Sequence, residues 1–528
     1  MTTDERQPIL KVENLSVTLP KGADRPFAVN DVSFDLRPGE ILCVVGESGS
    51  GKSVLSSALM GAVPEGLKLA GGQVLLEGKD LTRLSEKAFR TIRGRDIAMI
   101  FQDPMASLNP AMTVAAQIEE VFLLHSDFDA AERTKRARAL VEAMRLPSPD
   151  RILKAYPHQL SGGQCQRVVI AMALAMNPRI LIADEPTTAL DVTTQAQVLK
   201  LIGELRDVHG HGIVFITHDF GVVADIADRV AVMKHGEIVE IGEAKQVLTA
   251  PQHPYTQALI AAVPSLDPHD RPAAPAAEPV LAVRGLQHSY GALAVLKDID
   301  LSLAPGRVVS IVGESGCGKS TLAKAMIRLI EAKGGRVEVA GTDILALPGK
   351  KLEKYRRTIQ MIFQDPFGSL NPRRRVGPMI ARAARLAGAS SGEARRRTEE
   401  LLDLVGLHKS AYWRKPGAFS GGQRQRIGIA RALAMQPDVL IADESVSALD
   451  VSVQAQVLAL LRDLQERLQL AIVFITHDLR VAAQISDEIV VMQKGEIVER
   501  GTAAMVLQAP SHPYTRTLLE AAPGRSTF

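Results

Sequence analysis

Gly46-Glu47-Ser48-Gly49-Ser50-Gly51-Lys52-Ser53 decides the fold, and the chain writes it twice, as Gly313-Glu314-Ser315-Gly316-Cys317-Gly318-Lys319-Ser320 in the second half. Both stretches fit G-x-x-x-x-G-K-[ST], a loop that leaves a buried strand and enters a helix. The flanks suit that reading: apolar runs, Ile41 to Val45 and Val308 to Val312, lead into each loop, and a helix-like segment follows. Such glycines let backbone N–H groups wrap phosphate oxygens at a helix N-terminus. The pattern gives phosphate contacts to Gly46, Ser48, Gly49 and Gly51 and to Gly313, Ser315, Gly316 and Gly318. Lys52 and Lys319 then reach the β- and γ-phosphates, and Ser53 and Ser320 ligate Mg²⁺. A glycine-rich turn explains one such match; two in register are a nucleotide site used twice.

Outward from the loops, the whole unit repeats. Phe101-Gln102-Asp103-Pro104 returns as Phe363-Gln364-Asp365-Pro366, and Ile213 to Asp219 returns letter for letter as Ile472 to Asp478. The offset is 267 at Gly46, 262 at Gln102 and 259 from Ser161 onward, so length changes fall in the opening hairpin and the middle of each half. Five prolines between Pro264 and Pro279 mark an extended connector. The expected division is 1–263, a Pro/Ala linker at 264–279, and 280–528, with helical lobes at about 104–160 and 366–419. Later apolar strands alternate with helices, which argues a mostly parallel sheet covered on both faces.

Composition narrows the classes. Of 528 residues, 46% are apolar and 23% charged, an ordinary globular balance. The net charge of +3 gives no overall electrostatic case for nucleic acid or an anionic membrane. No apolar run approaches a transmembrane span; the best, Val168 to Met176, has nine residues. Three cysteines without short spacing argue against a disulfide framework, a zinc site or an iron–sulfur cluster, and for a reducing compartment. Arg373-Arg374-Arg375 and Arg395-Arg396-Arg397 read first as solvated faces, with lipid headgroups or a membrane partner second.

Two further motifs carry chemistry. Ile180 to Ala183 and Val439 to Ala442 are apolar strands ending in Asp184-Glu185 and Asp443-Glu444. The aspartates suit a Mg²⁺ shell, and the glutamates one residue beyond suit polarising an attacking water. Leu160-Ser161-Gly162-Gly163-Gln164 and Phe419-Ser420-Gly421-Gly422-Gln423 each precede a helix-like run beginning near Gln166 in the first half, an anion site by N–H groups and dipole.

With Gln102 and Gln364, Ala189-Leu190-Asp191 and Ala448-Leu449-Asp450, and His218 and His477, the set resembles the nucleotide-binding subunits of ABC transporters. The HPYT strings at His253 to Thr256 and His512 to Thr515 resemble the peptide/nickel importer subfamily. The resemblance implies an α/β fold of two tandem P-loop (RecA-like) ATPase domains, each with an antiparallel β subdomain and a helical subdomain. It implies an internal pseudo-dimer, head to tail around two ATP. One site combines Lys52, Ser53, Gln102, Asp184, Glu185 and His218 with Ser420 and Gly422. The other combines Lys319, Ser320, Gln364, Asp443, Glu444 and His477 with Ser161 and Gly163. Gln102 and Gln364 join the Mg²⁺ shell, Glu185 and Glu444 are catalytic, and His218 and His477 contact the γ-phosphate. Tyr290 takes the adenine-stacking position; the first half has Leu19 there, with Phe27 as a substitute. Where the family has Pro after the catalytic Glu, Glu185-Pro186 conforms and Glu444-Ser445 departs, which bears on turn stiffness rather than chemistry.

The implied function is an ATP-hydrolysing subunit of an importer, peripheral on the cytoplasmic face of the inner membrane. Its implied partners are two transmembrane permease subunits and an extracytoplasmic substrate-binding protein, with no nucleic acid. The strings Gln102 to Pro110 and Gln364 to Pro372 are expected at the permease. Peptides are the expected cargo, with nickel, opines or another small solute as alternatives. A twin-cassette translation factor fits poorly, because its resemblance includes a long charged linker that is missing here. Cys317, inside the second phosphate loop beside Lys319, is expected to have a lowered pKa and to make that site thiol-sensitive; Cys43 is expected to be inert.

Overall fold

The computed structural model describes residues 7–187, 190–268, 278–447 and 449–525. Ala189, Ala448 and most of the 264–279 connector lie outside them. The chain divides into two compact units, the boundary falling between Ala262 and Val263.

In the first unit the strand Ile41–Val45 has every side chain buried, as a strand covered on both faces must. It pairs in parallel with Gly212–Ile216 on one side and Arg229–Lys234 on the other. The six-stranded order is Glu237–Glu243, Arg229–Lys234, Ile41–Val45, Gly212–Ile216, Ile180–Asp184, Ile97–Ile100, antiparallel at the first pair alone. Parallel neighbours require crossovers, and helices Lys52–Leu59, Gly162–Leu174 and Val192–His209 lie along them. The strand ends therefore gather at one edge, where open α/β sheets bind ligands. Val45 leads into the phosphate loop, Asp184 into Glu185, Ile216 into His218, and Ile100 into Gln102.

A second, antiparallel sheet has the order Phe27–Leu36, Leu10–Thr18, Lys68–Leu76, Lys79–Asp80. Leu10, Val12, Leu15 and Val17 all face the core, although strict alternation breaks between 12 and 15. The register slips there, with Asn14 at φ 50°, and that slip returns the later residues to the buried face.

The second unit repeats both sheets. Its larger one runs Ile359–Ile362, Val439–Asp443, Ala471–Ile475, Val308–Val312, Glu488–Gln493, Glu496–Thr502. Its smaller one runs Leu293–Leu303, Leu281–Tyr290, Gly334–Val339, Thr342–Asp343, with Gly285 at φ 55° in the place of Asn14. The opening hairpins differ: residues 19–26 join the strands of the first half, whereas Gly291-Ala292 suffices in the second.

Each unit carries a helical lobe. In the first, Val114–His125 and Ala130–Ala143 bury Val114, Ile118, Phe122, Ala137 and Val141. In the second, Val376–Leu386 and Ser391–Leu404 bury Val376, Ile380, Ala384, Ala394 and Leu402 in one core with the helix Gly421–Leu433. Among the described residues, no helix is long and apolar enough to cross a membrane.

Candidate functional site

In both phosphate loops the backbone reaches conformations that side chains resist. Gly46 has φ 150° and Gly313 φ 151°, and a Cβ at either would overlap the carbonyl oxygen of Met233 or Met492. The lysine ammonium groups fold onto the loops themselves. Lys52 Nζ donates to the Gly46 and Glu47 oxygens at 2.6 and 3.0 Å, and Lys319 Nζ to those of Gly313 and Glu314 at 2.8 and 2.9 Å. Both lysines are buried, so the loop oxygens solvate their charges in place of water.

Ser53 Oγ donates to Asp184 Oδ1 at 3.4 Å, and Ser320 Oγ to Asp443 Oδ1 at 3.0 Å. Ser56 adds a second hydroxyl to Asp184 at 3.2 Å; Ala323 stands at that place in the second half. Burial pushes both aspartates above the ordinary carboxylate range, against these hydroxyl bonds, and the adjacent Glu185 or Glu444 adds to the push. Hydroxyl and carboxylate oxygens, with a buried anion short of positive charge, are the hard donor set that Mg²⁺ takes.

Beside this pair sits a second cluster. Gln102 Nε2 donates to Glu185 Oε2 at 2.9 Å, and His218 Nδ1 lies 3.3 Å from Glu185 Oε1. Gln364 Nε2 donates to Glu444 Oε2 at 2.6 Å, with His477 Nδ1 3.7 Å from Glu444 Oε1. Burial acts to raise the Glu444 carboxyl, but the neighbouring His477 ring and Lys319 together hold it below its usual range. Glu185 and Glu444 sit at φ 47° and 44°, a left-handed conformation that costs energy outside glycine. Their N–H groups donate to Ile216 and Ile475 oxygens at 2.9 Å, which pins the turn. Pro186 and Ser445 follow the same backbone turn, so the departure at Ser445 leaves the carboxylate's placement unchanged.

The signature helices begin at Gly162 and Gly421, earlier than the position near Gln166 expected from sequence. Ser161 and Ser420 are N-caps, and Gln164 and Gln423 close capping boxes with them. The Ser-x-x-Gln spacing was the signal for that start. Gly163 and Gly422 permit close helix packing: a Cβ would overlap Thr194 in one unit and Val453 in the other.

Tyr290 ends its strand 52% exposed, edge-on to His288 at 4.7 Å. In the first half, Leu19 N–H closes the hairpin onto the Pro26 oxygen and Phe27 is half-buried opposite Thr18. The group lying against the phosphate loop there is Arg25, whose guanidinium donates to the Gly49 oxygen and lies 3.3 Å from His235 Nδ1. No local pattern announces Arg25.

The HPYT strings, read from sequence as a subfamily mark, have a structural task. His253 and His512 cap helices Pro254–Ala261 and Pro513–Glu520. The next tyrosine reaches the phosphate loop: Tyr255 Oη accepts from Glu47 N–H at 3.3 Å, and Tyr514 Oη from Glu314 N–H at 3.0 Å. Glu240 and Glu499 accept the histidine N–H groups at 3.0 and 3.2 Å, fixing each cap.

The expectation for Cys317 is corrected. Its thiol is buried at 6% exposure, and desolvation outweighs Lys319 and the loop N–H groups, so the pKa rises rather than falls. Cys165 is likewise raised by burial, with its thiol turned to the Pro157 oxygen at 3.5 Å.

The family description "ABC transporter" matches residues 29–188 and 296–447. "Oligopeptide/dipeptide transporter, C-terminal region" matches 239–286 and 498–525, the segments that hold the two HPYT strings. The chain is similar to the "Peptidoglycan transport ATP-binding protein YejF" of Agrobacterium fabrum, 46% identical over 99% of this chain and 98% of that one. It is also similar to the "Glutathione import ATP-binding protein GsiA" of Salmonella paratyphi A, 46% identical over 98% of this chain and 89% of that one. Among solved structures, a dimeric ATP-binding cassette in a post-hydrolysis state bound to ADP and Pi is 30% identical with a TM-score of 0.41, over 44% of this chain and 98% of that chain. Two phosphate loops, two acid-ended strands and matches along nearly the whole length lead to one conclusion: the chain belongs to the ABC transporter family, as an ATPase subunit with two ATP-binding cassettes in one polypeptide.

Proposed function

We propose that this chain drives uptake of small peptides by hydrolysing ATP on the cytoplasmic face of the inner membrane, through two separate permease subunits fed by an extracytoplasmic binding protein. The observation that carries the reading is 46% identity along nearly the full length to a peptidoglycan transport and a glutathione import ATP-binding protein, together with the oligopeptide/dipeptide region after each cassette. Glutathione is itself a small peptide.

In each cassette the loop N–H groups and Lys52 or Lys319 hold the ATP phosphates. Ser53, Gln102 and Asp184, or Ser320, Gln364 and Asp443, would hold Mg²⁺, which neutralises phosphate charge when bound. Glu185 or Glu444 takes the proton of the attacking water as its oxygen bonds the γ-phosphorus and the bond to the β–γ bridging oxygen breaks, releasing ADP. The amide of Gln102 and the ring of His218 orient that carboxylate, and His218 also reaches the γ-phosphate. Tyr290 stacks on adenine in the second cassette. Following the family arrangement, Ser161 and Gly163, and Ser420 and Gly422, complete the ATP site of the opposite cassette.

The test is reconstitution of the chain with its permease subunits, in vesicles holding binding protein outside and ATP inside. ATP-dependent accumulation of a labelled di- or tripeptide is the expected result. Uptake of nickel or an opine in place of peptide would reassign the cargo, and ATP turnover without solute uptake would remove the transport role.

A further inference from the structure

The two helical lobes differ in charge far more than in fold. Residues 104–160 carry seven Lys/Arg and seven Asp/Glu, whereas residues 366–419 carry eleven and four. The second lobe's excess of seven exceeds the +3 of the entire chain, which hides it in any whole-chain average. Arg373, Arg374 and Arg375, all exposed, stand where the first half has Ala111, Met112 and Thr113. Against them lies Trp413, 53% exposed, with the Arg375 guanidinium 5.7 Å and the Arg395 guanidinium 5.6 Å from its ring centroid. Arg414 follows the ring, and its carbonyl accepts the Val376 N–H at 2.9 Å, which ties the arginine run and the ring into one face. Lys154 occupies the ring's place in the first half. Among the described residues, Arg395 with Glu399 at 3.2 Å is the ion pair this face makes, and it is exposed.

A solvated arginine surface accounts for the charge and leaves the ring unexplained. An indole held in water between guanidinium groups pairs the two features of a headgroup surface: cations for phosphate, and the side chain favoured at the membrane–water boundary. The cations come from two separate segments, the 373–375 run and Arg395, which spreads them over a face and matches a layer of phosphates. We propose that this face of the second lobe seats on anionic lipid headgroups. The proposal rests on no step of ATP hydrolysis, so it stands or falls apart from the transport reading.

The experiment sediments the full chain with vesicles of phosphatidylcholine alone or mixed equally with phosphatidylglycerol. Partitioning should require phosphatidylglycerol and be reversed by high salt. Each arginine removed should weaken it about fivefold, so that the triple variant R373Q/R374Q/R375Q falls on the order of a hundredfold. Trp413 is the chain's one tryptophan, so its emission reports the contact directly. A blue shift and protection from aqueous quencher on adding anionic vesicles are expected. R395Q supplies a second, independently placed variant, and ATP binding by each variant checks folding. Equal partition to both vesicle types, unchanged Trp413 emission, or wild-type partition of the variants overturns the proposal. So does a variant that loses its permeases while keeping its lipid affinity, which would assign the face to a protein partner.

Discussion

At the residue scale the site is a compromise between folding and function. Asp443 is buried beside Glu444, and both effects raise its pKa in the folded chain. An acid raised on folding binds its proton more tightly in the native state, so nucleotide-free stability increases as pH falls through that raised value. Asp443→Asn should therefore raise the melting temperature of the nucleotide-free protein, while the stabilisation by Mg-ATP should fall to the share that the first cassette supplies. A lowered melting temperature with full Mg-ATP stabilisation would count against the assignment. Glu444 is lowered, so its contribution runs the other way and is lost as pH falls through its folded value. Asp184, Glu185 and their partners were legible because residue type and order carry their chemistry. The state of Cys317 was not: its neighbours in sequence favour the thiolate, and packing in the core of the second unit reverses them. Alkylation of native protein should leave ATPase activity largely intact, and Cys317→Ser should behave as wild type; fast inactivation that Cys317→Ser abolishes would restore the reactive thiol.

At the element scale, strands and loops could be read and their long-range ties could not. The runs Ile41–Val45 and Val308–Val312 are strands to the residue, because a strand buried on both faces admits apolar side chains nearly throughout; the one polar residue, Ser310, is buried with its hydroxyl paired to Ser486. The tie from Tyr255 to Glu47 spans 208 residues and leaves no local pattern. It makes the C-terminal helix a brace on the phosphate loop, and the same brace recurs at Tyr514. One lost hydrogen bond is worth about 1 kcal/mol, so Tyr514→Phe should weaken ATP binding at its cassette by about fivefold with little change in turnover at saturation. Unchanged affinity in both Tyr255→Phe and Tyr514→Phe, measured with a fluorescent ATP analogue, would make the brace structural only. The opening hairpins predict unequal cassettes. Tyr290 offers a ring, whereas Arg25 lies on the first loop. Tyr290→Ala should cost about 1 kcal/mol, a several-fold loss of ATP affinity at the second cassette; no loss there removes the stacking role.

At the scale of the whole molecule, duplication is the fact from which the rest follows. The same sheet order, acid-ended strand and glutamate clamp occur in both units, although Ser56, Pro186 and the length of the opening hairpin differ between them. Both cassettes hold the same proposed groups for hydrolysis, Ser53, Gln102, Asp184, Glu185 and His218 in one and Ser320, Gln364, Asp443, Glu444 and His477 in the other. The charge has diverged instead, into the basic second lobe, and only a lobe-by-lobe count exposes it. Glu185 and Glu444 are the proposed groups on which ATP hydrolysis by this chain depends. The direct measurement is steady-state ATP turnover, with permeases present, of wild type and the double variant E185Q/E444Q, alongside ATP binding. Binding should persist and turnover should fall about a hundredfold or more. Wild-type turnover in the double variant would contradict that dependence.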